Sequence, residues 1–264
     1  MSFFCADSIT AGYGKTDILQ NLSFCLEKGT MVGVLGANGS GKTTLLKSVC
    51  GILPHGGACT LEGTVLETLS PRQLARLVSY IPQRSGIRID ISALDVVLMG
   101  FNPRLGLLEQ PTQAMVEHAY TALAQVGLGG REQTNYLHLS EGQKQLCILA
   151  RTLISGSRLL LLDEPESALD FRYRYQMLDL LRGWVASGTC SAIVTLHDPA
   201  LALNFCDRLL LLSEGGILGV IAPKADPLEK MEEMLSQVYG PVSLQRCHNR
   251  KGEAQILILR EDSL

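Results

Sequence analysis

Aromatic residues are scarce in this 264-residue chain, 5% in all with a single tryptophan, and charged residues make up only 19%. Neither sign of charge dominates: 23 Lys plus Arg against 26 Asp plus Glu leave a formal net charge of −3. Without a basic excess, a general nucleic-acid binder is disfavoured, because such proteins draw affinity from neutralising phosphates. No run of about 18 apolar residues occurs, the length a bilayer-spanning helix needs, although mean hydropathy is positive at +0.18. The opening residues, Met1-Ser2-Phe3-Phe4-Cys5-Ala6-Asp7, have neither the basic start nor the apolar stretch of a secretory signal, so a cytoplasmic protein is expected. No two of the eight cysteines stand at zinc-finger spacing. Most lie in apolar runs, as Cys147 does in Leu146-Cys147-Ile148-Leu149, and small buried thiols are expected rather than disulfides or zinc ligands. Internal repeats and low-complexity segments are also absent.

What is present is length enough for a real core, since roughly 75% of unfolded-chain surface is buried at this size. Short apolar runs alternate with longer amphipathic stretches, the pattern of an α/β sheet covered by helices. Met31–Leu35, Leu159–Leu162, Ala192–Leu196 and Arg208–Leu212 read as buried parallel strands, each followed by a turn or a helix start. Phe3–Thr10 and Leu19–Leu26 alternate more and suit an antiparallel edge sheet. Between Ser92 and Gln133 helical patterns take over. Ser92 is placed to cap a helix over Ala93–Met99, and Pro111 suits the first turn of one running to about Val126. Beyond about Ala222 a small tail holds an amphipathic helix near Pro227–Tyr239 and two short strands, Val242–Arg246 and Gln255–Leu259.

The strand at Met31–Leu35 leads into Gly36-Ala37-Asn38-Gly39-Ser40-Gly41-Lys42-Thr43-Thr44, a G-x-x-x-x-G-K-[ST] loop between a strand and a helix. Glycines there let backbone N–H groups close around phosphate oxygens, and the helix N-terminus adds the positive end of its dipole. Lys42 is expected to reach the β- and γ-phosphates and the Thr43 hydroxyl to ligate magnesium. A second half of such a site, a carboxylate ending a hydrophobic strand, stands in Leu159-Leu160-Leu161-Leu162-Asp163-Glu164-Pro165. Asp163 would hold the metal and Glu164 would polarise the attacking water.

With these motifs in order, the chain resembles the ATP-binding cassette (ABC) ATPases from about Phe3 to Ile221. Leu139-Ser140-Glu141-Gly142-Gln143 looks like their signature motif, and Ser140 with Gln143 is also a helix capping box. Gln83 in Tyr80-Ile81-Pro82-Gln83 corresponds to the Q-loop glutamine, Ser167-Ala168-Leu169-Asp170 to the D-loop, and His197 to the switch histidine. Tyr13 matches the aromatic that stacks on adenine, although an ordinary surface tyrosine fits it as well. The resemblance implies an α/β fold: a P-loop NTPase with a RecA-like parallel-sheet core, an N-terminal antiparallel β subdomain and a helical insertion at about 84–150. The cassette would span 1–222 and a short extension 223–264. It further implies ATP and Mg2+ as ligands, with Glu164, His197 and Gln83 at the chemistry and Thr43, Gln83 and Asp163 at the metal. Tyr13, Gly36, Asn38, Gly39, Ser40, Gly41, Lys42, Thr43 and Thr44 would bind the nucleotide from one chain. Ser140, Gly142, Gln143 and Asp170 would do so across a head-to-tail dimer, with an identical partner the simpler arrangement.

Two positions depart from the family pattern. Glu141 replaces the usual signature glycine, and its charge would matter only if the side chain faces phosphate. Leu146 sits where many relatives carry arginine, for which a local packing adjustment is expected. The stretch Ala93 to Leu108 has the spacing V-V-x-x-G-x-x-P-x-x-G, similar to importers of iron–siderophore, haem and cobalamin complexes. The implied function is the ATPase subunit of such an importer, peripheral on the cytoplasmic face of the membrane. Its partners would be a polytopic permease and an external substrate-binding protein, with no nucleic acid. Residues 83–108, Leu105 and Leu107 among them, would meet the permease. The alternative is a cytosolic ABC ATPase that gates interactions without transport.

Overall fold

The computed structural model describes residues 2–106, 108–167 and 169–261; Leu107 and Ala168, both singled out above, lie outside them. The chain starts with β1 (Phe4–Tyr13), β2 (Thr16–Leu26) and β3 (Met31–Gly36), then α1 (Lys42–Val49), β4 (Gly56–Leu61), β5 (Thr64–Val65), α2 (Pro71–Leu77) and β6 (Val78–Ile81). A helical stretch follows with α3 (Ala93–Leu98), α4 (Gln113–Gln125) and α5 (Glu141–Ser155). Next come β7 (Leu159–Asp163), α6 (Phe171–Ala186), β8 (Ser191–Thr195), α7 (Pro199–Phe205), β9 (Arg208–Ser213) and β10 (Gly216–Ile221). The tail is α8 (Leu228–Tyr239), β11 (Val242–His248) and β12 (Ala254–Arg260).

The central sheet has the order β10-β9-β3-β8-β7-β6, parallel except for the β9–β10 edge pair. A second, antiparallel sheet has the order β2-β1-β4-β5. Because successive strand residues face opposite sides, the central strands divide their apolar residues between two cores. Met31, Leu35, Leu160, Leu162, Ala192, Val194, Leu209 and Leu211 join one core with α3 to α8. Val32, Val34, Leu159, Leu161, Ile193, Leu210 and Leu212 join the other, with α1 and the antiparallel sheet. Burial on both faces explains why these strands read as continuous apolar runs.

Local chemistry sets the helix starts. Ser92 caps α3 in a reciprocal capping box with Asp95, as its position suggested. The α4 cap is Thr112, which accepts the Met115 amide, so Pro111 lies before the helix rather than in its first turn. The extra hydroxyl cap one residue later outcompetes the proline signal. The tail packs into the same core as the sheet through Met231, Leu235, Leu244 and Ile256. Asn204 on α7 secures it by bonding both backbone groups of Ile256 at 2.9 Å.

The cysteines depart from expectation at one pair. Cys5 and Cys25 face each other across β1 and β2 and form a disulfide. Cys25 is exposed, unlike Cys59, Cys147, Cys190 and Cys206, which are buried free thiols. The antiparallel register put them opposite one another, which a 20-residue sequence separation could not show.

Candidate functional site

Parallel strands all end on one edge, and β3, β6, β7 and β8 each deliver a functional residue there. After β3 the loop 36–41 turns into α1, with Gly39 at φ 83° and Gly41 at φ 101°, left-handed values that favour glycine. Loops of this kind, leading into a helix N-terminus, can present backbone N–H groups to an anion. Lys42 opens α1, is 5% exposed, and donates from Nζ to the carbonyl oxygens of Gly36 at 2.8 Å and Ala37 at 3.2 Å. Burial lowers its pKa, while Glu164, Asp163 and Glu166 act in the opposite sense to keep it charged. Gly36, Asn38, Ser40 and Thr44 complete the loop and the first turn. Ser40 Oγ is buried without a partner, the mark of a hydroxyl available to a ligand.

Asp163 ends β7 directly opposite Thr195 of β8. Its carboxylate accepts three hydroxyls: Thr43 at 3.0 Å, Thr195 at 3.0 Å and Tyr80 at 3.1 Å. The phosphate loop and the strand carboxylate are thereby in direct contact. Glu164 follows at φ 45°, an uncommon value for a non-glycine residue and a strained backbone of the kind found at functional sites. Its amide donates to Thr195 Oγ1 at 2.8 Å, which holds that geometry. One carboxylate oxygen of Glu164 receives Gln83 Nε2 at 2.9 Å and faces His197 Nε2 at 2.7 Å. Gln83 stands two residues beyond β6 and His197 two beyond β8, so the strand ends alone bring the three together. A cavity of about 280 Å³ opens beside them, lined by Tyr13, Asn38, Lys42, Thr43, Thr44 and Glu164 among others. Tyr13 is 51% exposed at its mouth.

A strand–loop–helix anion cradle in contact with a strand-end aspartate and a glutamate is the architecture of a nucleotide-hydrolysing site, and residues 19–167 match the model of the ABC transporter family. The chain belongs to that family. Its members are the ATP-binding, ATP-hydrolysing subunits of transporters, and the fold agrees with theirs. The chain is 31% identical over 259 residues to the uncharacterized ABC transporter ATP-binding protein YvrA of Bacillus subtilis, covering 97% of this chain and 58% of that one. It is 36% identical over 244 residues to the hemin import ATP-binding protein HmuV of Bordetella bronchiseptica, covering 89% and 91%. Among solved structures, a metal-chelate type ABC transporter in an inward-facing conformation superposes with a TM-score of 0.83 at 26% identity, over 99% of each chain.

The cassette's remaining motif residues form a second group outside the cavity. Ser140 and Gln143 cap α5 reciprocally, and Asp170 caps α6 by accepting the Tyr173 amide at 2.9 Å. Gly142 is buried against the Tyr173 ring, where an added Cβ would lie 2.6 Å from a ring carbon. The two helix starts therefore share one surface. Glu141 points into solvent, its side chain 68% exposed and paired with Lys144 at 2.8 Å. Leu146 is buried in the core.

Several contributors were not evident from sequence. Gln145, buried on α5, donates to the Gln83 carbonyl at 3.0 Å and links the Q-loop to the signature helix. An amide at a core-facing helix position was the available signal. Tyr80 and Thr195 support Asp163, and nothing in their apolar strands marked them. Glu166 is 2% exposed, accepts the His197 amide at 3.0 Å with one oxygen and leaves the other unpartnered. Burial raises its pKa, with Glu164 adding to the effect and His197 opposing it.

Proposed function

We propose that this chain binds ATP with Mg2+ and hydrolyses it to energise uptake of a metal chelate or corrinoid through a separate permease. The observation that carries the chemistry is the Glu164 carboxylate held by Gln83 and His197 at the rim of the phosphate cavity. There Glu164 orients and polarises a water while Lys42 and the loop amides neutralise the developing phosphate charge. His197 is placed to contact the γ-phosphate, and Tyr13 to stack on adenine. Thr43 and Asp163, with the amide oxygen of Gln83, offer oxygen donors only, which suits a hard cation such as Mg2+. When bound, that ion would offset the negative charge of the phosphates.

The signature residues Ser140, Gly142 and Gln143, with Asp170, lie outside the cavity of their own chain, which supports a head-to-tail pair in which each chain completes the other's site. ATP would then favour closure by contacts that hydrolysis withdraws. The cargo class rests on the relatives, a hemin import protein and a metal-chelate type transporter. No described helix is long and apolar enough to cross a membrane. The helical stretch between β6 and β7 is the proposed docking face, but Leu105 is 7% exposed and belongs to the protein core. Ile89 and Leu108, 58% and 93% exposed, are apolar side chains within the described part of 83–108 that a permease could meet. We also propose that the cassette spans 1–222, with the helical stretch at about 84–150 as its insertion, and that 223–264 is a short extension.

Affinity-tagged protein, recovered from gently solubilised membranes of its native host, tests the assignment. A stoichiometric polytopic permease, with an external binding protein linked to it, supports uptake on the cytoplasmic face of the membrane. Recovery only from the soluble fraction under crosslinking would instead favour a cassette that gates interactions without transport.

A further inference from the structure

The antiparallel sheet holds a cluster of polar side chains that nucleotide chemistry does not use. His55, just before β4, Cys59 on β4 and Glu67, in the turn after β5, bring their ligand atoms within 4.8 Å of one another. The Cys59 side chain is fully buried, His55 is 7% exposed at its side chain, and Glu67 at 32% faces solvent. Backbone bonds already orient two of them. Glu67 Oε1 accepts the Cys59 amide at 2.7 Å, and His55 Nδ1 lies 3.0 Å from the Gly56 carbonyl oxygen. A carbonyl oxygen only accepts, so the Nδ1 proton is committed to Gly56 and Nε2 is left as the free nitrogen. That nitrogen stands 3.3 Å from Glu67 Oε1. Two lone pairs do not face each other stably at this distance, so a proton or a cation belongs between them.

We propose that His55, Cys59 and Glu67 form a binding site for a divalent transition metal of the zinc type. One imidazole nitrogen, one thiol sulfur and one carboxylate oxygen make the mixed donor set that zinc accepts, with three protein ligands and a fourth position for water. The 3.3 Å nitrogen–oxygen separation is close to that of neighbouring ligands around a tetrahedral ion with bonds of about 2.0 Å. A hydrogen bond from the second imidazole nitrogen to a backbone carbonyl is the usual arrangement behind a metal-bound histidine. Binding releases the Cys59 thiol proton to solvent, and the exposed side of Glu67 supplies the route in. The site is separate from the Thr43–Asp163 position, which offers oxygen only and suits a different ion.

Cobalt(II) is the probe, because thiolate ligation gives it a near-ultraviolet charge-transfer band and tetrahedral geometry strengthens its visible bands. The full chain, stripped with a chelator and kept reduced, is expected to bind one equivalent of cobalt with both features and to lose them when zinc is added. Cys59→Ser should abolish the charge-transfer band. His55→Ala and the surface variant Glu67→Gln should each weaken zinc binding at least about tenfold. If wild-type protein shows no band, a proton occupies the gap and the proposal is wrong. It is equally overturned if the band survives in Cys59→Ser, since the thiolate would then belong to another cysteine, such as the partly exposed Cys50 or Cys247.

Discussion

Replacing Glu166 by glutamine should make the protein progressively more stable, relative to wild type, as pH rises. Glu166 is buried beside Glu164 and His197, with Lys42 close enough to feel its charge, and only one of its oxygens is hydrogen-bonded. Burial favours the neutral acid, so its folded pKa lies above the ordinary carboxylate value of about 4.3. Between those two values the native state holds a proton that the unfolded chain has released. Unfolding free energy therefore falls with rising pH, by up to about 1.4 kcal/mol per unit for one proton. Glutamine carries no such proton and keeps a carbonyl oxygen for the His197 amide. Its stability relative to wild type should climb by up to that slope across the window. Near pH 4.5 the two should agree within about 1 kcal/mol, each leaving one buried polar group unpartnered. Urea unfolding at several pH values checks this, and titrating groups remote from Glu166 cancel in the difference. Parallel wild-type and Glu166→Gln curves would show that Glu166 is not protonated in the fold. Glu166→Ala should behave differently: the His197 amide loses its acceptor, at a cost of about 1–3 kcal/mol, and turnover falls because His197 loses its backbone anchor.

Glu164→Gln should keep ATP binding while lowering turnover by about 10²–10⁴, the usual contribution of a positioned base; normal hydrolysis in single-turnover assays would remove Glu164 from that role. Gly100→Ala should destabilise the chain by about 1–3 kcal/mol, because its Cβ would press into the Arg151 carbonyl oxygen on α5; an unchanged urea midpoint would refute the close approach. Glu141→Gly should change ATP affinity by less than about tenfold, or 1.4 kcal/mol, since Glu141 is exposed and paired with Lys144; a larger shift in ATP titration would show that its charge reaches the partner's nucleotide.

The parts of the site legible in the sequence are those whose chemistry is local in the chain. The loop 36–44 needs its glycines at fixed offsets, and Asp163-Glu164 needs an apolar strand before it, so both announce themselves within ten residues. The central strands are equally plain, because burial on two faces leaves unbroken apolar runs. The antiparallel strand β4 was not: its sequence Gly56-Gly57-Ala58-Cys59-Thr60-Leu61 alternates weakly and is rich in glycine, and pairing with β1 rather than local preference makes it a strand. The disulfide between Cys5 and Cys25 arises from the separate register of β1 with β2, and the cluster of His55, Cys59 and Glu67 from the β4–β5 hairpin and the turn that follows it.

Gln83 shows where local reading stops and the fold takes over. The motif alone identifies it, yet its work depends on what holds it from both sides. Its side chain bonds Glu164 and its backbone carbonyl is held by Gln145, on the helix that begins with the signature residues. Two hydrogen bonds therefore connect α5 to Glu164 by way of Gln83. Gly100 packs its backbone against the same helix near the other end. The helical stretch, the Q-loop and Glu164 thus form one mechanically continuous unit, with α5 as its rigid member. On the proposed function, a partner docked on the exposed side of that stretch would reach Glu164 through Gln145 and Gln83, the two side chains that join α5 to the Glu164 carboxylate.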